Sequence, residues 1–160
     1  MVALNLEIAS PVAVEAAQRA AENPRMNLID AVFSQLPQVE APVIHRQTPG
    51  MYTREILMRA DSFVTSKIHK TEHQFVVLSG DVSVWTEEQG VVRLTSGHVG
   101  ITQPGTRRLL YAHSDTRWIT FHPTMQTNLD KIEEELIHPH TPANDSLLCR
   151  AMSEISGGSK

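Results

Sequence analysis

Five of the eight histidines in this chain lie between Phe63 and His122, and three of them stand where side chains of different segments could meet. Thr65, Lys67 and His69 alternate, so an extended backbone sends all three to one face. His73 follows four residues later, and His122 closes a second alternating row with Trp118 and Thr120. Neutral imidazoles bind divalent transition metals, and a three-ligand site leaves positions open for water or substrate. Lys67 and Arg108 bring a competing chemistry, because a lysine and an arginine hold phosphate or carboxylate, the arginine with a two-pronged fork.

Each residue also has a plainer reading. His73, just after Thr71 and Glu72, can hydrogen-bond a turn; Arg107 and Arg108 can be an exposed pair at a strand start; His122 can be a rim residue beside a core Trp118. His98 and His113 sit in turns and read as turn caps, while His45, His138 and His140 belong to no cluster. Cys149 is the only cysteine, so no intrachain disulfide can form, and no cysteine–histidine or serine–histidine–aspartate arrangement is in view. Phosphate-cradling glycine loops and paired CxxC motifs are absent from the sequence. The formal charge of −4 and 41% hydrophobic content suit a soluble globular chain and argue against nucleic-acid or membrane partners. The first residues lack a basic segment followed by an apolar run, so a cytoplasmic protein is expected, in host cytoplasm or in a virion if the gene is viral.

The elements that must position these residues are short. Residues 11–22 and 26–36 read as two helices, separated by Asn23-Pro24 and ended by Pro37. Residues 37–50, with three prolines, read as a linker or an edge strand. Eight extended runs follow, at 52–59, 63–69, 74–79, 82–86, 91–95, 100–102, 107–112 and 116–122, the spacing of an antiparallel sandwich or barrel. In the third of them Phe75 and Val77 share one face while Val76 and Leu78 share the other, so both faces need cover, the outer one from the helices or a second subunit. A capped acidic helix is expected over 127–137, then a polar tail. The organisation expected is a helical extension and linker over 1–50, a barrel over 51–124, and a C-terminal helix and tail over 125–160.

Over roughly residues 52–124 the chain resembles the cupins, small jelly-roll barrels also called double-stranded β-helices. Gly80, Gly97 and Gly105 fall on framing glycines of the two cupin motifs. At the four positions where metal-binding cupins carry three histidines and a carboxylate, this chain has Lys67, His69, His73 and Arg108. Asp61, Gln103 and Ala112 stand where the motifs have glycine, proline and asparagine. The resemblance implies a mainly β, cupin-type antiparallel barrel with short N-terminal helices and one C-terminal helix. It makes the Thr65, Lys67, His69 row face inward.

On those positions the expected function is capture of a small anionic molecule, a phosphate- or carboxylate-bearing metabolite or nucleotide, by Lys67, His69, His73, Arg108 and His122. Its affinity is expected to strengthen as the histidines protonate near pH 6 to 7. The alternative is an isomerase- or oxygenase-type enzyme with a divalent transition metal on His69, His73 and His122. A homodimer or larger assembly is expected in either case. Segments such as YTREI, SKIHKTEH and GTRRLLYAHSDT further resemble small cupins of tailed bacteriophages, which implies a third reading, a virion or assembly component contacting other phage proteins through its terminal extensions.

Overall fold

The computed structural model describes residues 9–139. The far C-terminal tail, with His140 and Cys149, lies outside the described residues. Two helices come first, α1 (Pro11–Ala21) and α2 (Pro24–Ser34). Their starts are written locally: Ser10 accepts from the Ala13 amide and Asn23 from the Met26 amide, with Pro11 and Pro24 in the first turns. Asn23-Pro24, expected to break the chain, is therefore the cap that starts α2 two residues earlier than expected.

Nine strands follow: β1 (Val43–Thr48), β2 (Met51–Met58), β3 (Ser62–Thr65), β4 (His73–Ser79), β5 (Asp81–Thr86), β6 (Gly90–Thr95), β7 (Val99–Thr102), β8 (Leu109–Ala112) and β9 (Thr116–Pro123), then helix α3 (Leu129–Leu136). They form two antiparallel sheets, β1-β2-β9-β4-β7 and β3-β8-β5-β6. Of the two readings of residues 37–50, the edge strand is the one taken, with Val43–Thr48 paired to β2 in full register. The run expected over 63–69 stops at Thr65, because the Ser66 amide turns to the Arg108 carbonyl and the Lys70 amide to Leu136 of α3.

Between the sheets lies an apolar core of Met58, Phe75, Val77, Val82, Val84, Leu94, Leu110, Ala112 and Trp118, with Phe75 stacked on Trp118 at 4.3 Å and 9°. Tyr52, Ile132 and Leu136 make a second cluster, which seats α3 on the barrel. The N-terminal helices are held by Arg107, whose guanidinium donates to the Ala20 carbonyl (2.9 Å) and Asn27 Oδ1 (2.6 Å) and pairs with Asp30. Gly105, at φ +79°, fits the same contact: a Cβ there would stand 2.5 Å from the Ala16 carbonyl oxygen of α1.

On the outer face of β2, Glu55 is completely buried between Arg117 (2.6 Å) and Arg46 (2.8 Å). The Arg117 hydrogen bond is the main cause that holds its carboxyl below the ordinary value of 4.5. A lowered carboxylate pKa stabilises the fold above the ordinary value, and that contribution is lost as pH falls through the lower folded value. Glu55→Gln is expected to cost about 1–2 kcal/mol near neutral pH, since both arginines stay half-exposed and can rehydrate. Urea unfolding at pH 7 and pH 3 checks it: the difference between wild type and variant shrinks in acid.

Candidate metal centre

Strand alternation and register place the site. On β2 the inward row is Tyr52, Arg54, Ile56 and Met58, directly opposite His122, Thr120, Trp118 and Thr116 of β9. On β4 the inward residues His73, Phe75 and Val77 continue the same tiers, Phe75 opposite Thr120 and Val77 opposite Trp118. His73 and His122 thus share the tier nearest α3, and His69 reaches it from the segment that bridges to Ile137. Each of the three imidazoles offers a nitrogen within 4.8 Å of the others, and their ring centroids lie 4.3 to 5.1 Å apart.

A hydrogen bond fixes the tautomer of one ring and bears on that of a second. His73 Nδ1 lies 3.2 Å from the Thr71 carbonyl, which can only accept, so Nδ1 carries the proton and Nε2 keeps its lone pair. The Thr120 hydroxyl lies 3.3 Å from the Arg54 carbonyl and 2.9 Å from His122 Nε2; when it donates to the carbonyl, its oxygen accepts from His122 Nε2–H. His122 Nδ1 is buried with no partner, and in that tautomer it is a bare lone pair. A buried acceptor without a donor costs roughly 1–3 kcal/mol, which a bound cation would offset. Orientation of a ligating imidazole by a hydrogen bond at its other nitrogen is how metal centres are held.

Burial is the first cause that pushes these groups down, to about 2 for His69, about 4 for His73 and about 3 for His122, with Arg54 and Arg108 adding repulsion. All three rings are therefore neutral bases at physiological pH. The expected gain of imidazole charge near pH 6 to 7 does not occur, because water that would solvate an imidazolium is excluded. Neutral rings with inward lone pairs are the donor set a divalent transition metal takes, and three of them leave room for other ligands. Thr120→Val, which removes the acceptor for His122 Nε2–H, is expected to weaken divalent-metal affinity by about 10–100-fold, read by competition with a chromophoric chelator.

The histidines open on a cavity of about 510 Å³ whose lining also includes Tyr52, Arg54, Lys67, Arg108, Trp118 and Glu133. Lys67 does stand at this cavity, but it is half-exposed and pairs with Glu133 of α3. Arg108 comes from the opposite sheet, its guanidinium 5.2 Å above the Phe75 ring, and burial lowers it to about 10. The two members of the arginine pair thus part company, Arg107 toward the helices and Arg108 into the barrel. The sequence reading overlooked Arg54, Tyr52 and His45. Tyr52 stacks on His122 at 5.9 Å, and its hydroxyl lies 2.7 Å from His45 Nδ1. The signal for Arg54 was present, since one arginine interrupts an inward row otherwise made of Tyr52, Ile56 and Met58.

No protein-family model matches this sequence, and no curated protein sequence matches it significantly. Likeness appears in solved structures. Ectoine synthase from P. lautus is 13% identical with a TM-score of 0.50, over 69% of this chain and 83% of that one. A cupin-2 domain protein from Shewanella frigidimarina is 16% identical with a TM-score of 0.42, over 62% of this chain and 98% of that one. A cupin superfamily protein from Desulfitobacterium hafniense is 8% identical with a TM-score of 0.46, over 56% of this chain and 82% of that one. Among the described residues no helix is long and apolar enough to cross a membrane. Two antiparallel sheets around one core, with two helices before them and one after, make this a cupin-type β fold.

Proposed function

We propose that this cupin-fold chain holds a divalent transition metal on His69, His73 and His122 and binds a small anionic ligand beside it. The observation that carries the reading is the buried, unpartnered Nδ1 of His122, in a cluster with two more imidazoles whose ligand atoms lie within 4.8 Å of one another. Bound there, the ion would supply Lewis-acid polarisation of a ligand oxygen. The chain's own residues do the rest. Arg54 and Arg108 orient the anion, and Leu129, Ile132 and Leu136 of α3 screen the cavity from water.

Charge favours the anion strongly. Three neutral histidines bring no negative charge, and the cavity lining holds one carboxylate, Glu133, which pairs with Lys67 and also acts on Arg54. A dication added to Arg54 and Arg108 leaves a positive excess that a carboxylate or phosphate would balance. The histidine–anion capture expected from the sequence is thereby recast: the histidines hold the metal, and the arginines hold the anion.

The test is reconstitution with cobalt(II) after chelator treatment. One equivalent of cobalt per chain, with a visible spectrum that changes when a small carboxylate is added, is the expected result. Absence of stoichiometric cobalt binding would defeat the reading.

A homodimer or larger assembly belongs to the same proposal. The helices pack on part of the β3-β8-β5-β6 sheet, Phe33 stacking on Phe63 at 5.4 Å, whereas the outer face of the other sheet exposes Val99, Ile101, Leu78, Ile44 and Met51. Such a patch favours a self-complementary contact. Light scattering at micromolar concentration is expected to give at least twice the 17.8 kDa chain mass. A monomer there would refute it.

A further inference from the structure

We infer that the ligand of this cavity is an amphipathic carboxylate, with one carboxylate head read by Arg54 and an apolar body lying on the barrel floor. The inference rests on the cavity being a ligand site, as proposed above, and adds which chemical class fits it.

Arg54 is the group that selects the head. It stands inward on β2 one tier below Tyr52 and His122, and its guanidinium makes no hydrogen bond or salt bridge among the described residues, Glu133 acting on it only at longer range. The other cations of the cavity are engaged, Lys67 by Glu133 and Arg108 by the face of Phe75. Thr120, directly opposite Arg54, donates its hydroxyl to the Arg54 carbonyl and so has no hydrogen for a ligand. A fork with no hydrogen bond of its own, facing a Thr120 hydroxyl already donated elsewhere, matches the two coplanar oxygens of a carboxylate. A phosphate monoester, with three acceptor oxygens and nearly twice the charge, would go under-satisfied there.

The floor selects the body. Below Arg54 the walls are Ile56, Met58, Val64, Leu110 and Trp118, none offering a polar atom except the indole N–H. A sugar or nucleotide would leave its hydroxyls facing these walls unpaired, at a cost that an aliphatic or aromatic chain avoids. A bare small anion would leave the floor empty. The cavity's 510 Å³ lies within the range of sites that enclose a small organic molecule.

The experiment is calorimetric titration of cobalt-reconstituted and of chelator-treated protein with octanoate, butyrate, octanamide and octyl phosphate. Four additional buried methylenes should make octanoate bind more tightly than butyrate by on the order of a hundredfold. Octanoate should exceed octanamide by about tenfold or more, as expected for a hydrogen bond to a charged group. Arg54→Gln should erase the preference over octanamide and keep the chain-length preference. Val64→Phe, which fills the floor, should do the reverse.

Equal binding of octanoate and butyrate, tighter binding of octyl phosphate, or an unchanged head-group preference in Arg54→Gln would each overturn the inference. The two proposals fail separately. Chain-length and head-group preferences without cobalt binding would remove the metal and keep the amphipathic carboxylate. Stoichiometric cobalt without those preferences would do the opposite.

Discussion

Replacing His122 by alanine is expected to weaken divalent-metal affinity by more than about 100-fold, beyond the loss that follows from disturbing a partner of a ligand alone. Nε2 is taken by Thr120, so Nδ1, which has no partner, is the nitrogen left to meet an ion shared with His69 and His73. His122 is 1% exposed, so the truncation also opens a small hole against Tyr52. It removes the unpaired acceptor too, and the two effects on stability oppose each other. The variant should therefore remain folded by circular dichroism while a competing chelator strips its metal. Wild-type affinity in a folded His122→Ala protein would show that the ion, if any, sits elsewhere.

Arg107→Ala is expected to have the largest effect on stability, about 3–5 kcal/mol. Arg107 is 6% exposed, and its partner Asp30 lies on α2, largely buried against it. Truncation leaves that carboxylate in a poorly solvated place, strips the Asn27 amide oxygen of its Arg107 donor and leaves the Ala20 carbonyl to backbone amides alone. Since these contacts join α1 and α2 to the barrel, the loss should appear as early detachment of residues 11–34. Hydrogen exchange would register it as faster labelling of both helices, alongside a melting temperature lower by roughly 10 °C. Unchanged protection of the helices would mean that other contacts hold them. Arg107→Lys keeps the charge but not the fork, and should recover part of the loss.

The sheet architecture was legible because its signals are local. Strand alternation such as Phe75–Val77 against Val76–Leu78, the glycines at 80, 97 and 105, Pro11 at the start of α1 and the cap of α3 all lie within a few residues of what they specify. The extent of the 63–69 run was not legible. Its end is set by Ser66 turning to Arg108 and by residues 69–70 pairing with α3, contacts that join positions about 40 to 70 residues apart.

The site divides along the same line. His69, His73 and His122 could be nominated from alternation, but their neutrality follows from burial, which alternation does not report. Lys67 looked like an anion ligand because nothing local reveals that Glu133, 66 residues away, takes its charge. Arg54 was missed for the opposite reason. Its row was readable, yet a lone arginine among Tyr52, Ile56 and Met58 gains meaning only once the row is known to line a cavity.

The central claim is that one metal ion belongs at the meeting point of three neutral imidazoles. Anomalous diffraction from crystals of the cobalt-reconstituted protein, recorded on both sides of the cobalt edge, tests it most directly. The account predicts one peak per chain, roughly 2.0–2.1 Å from a nitrogen of each of His69, His73 and His122, with Nδ1 as the His122 ligand. Cobalt bound only at other residues, or no ordered peak at full cobalt loading, would contradict it.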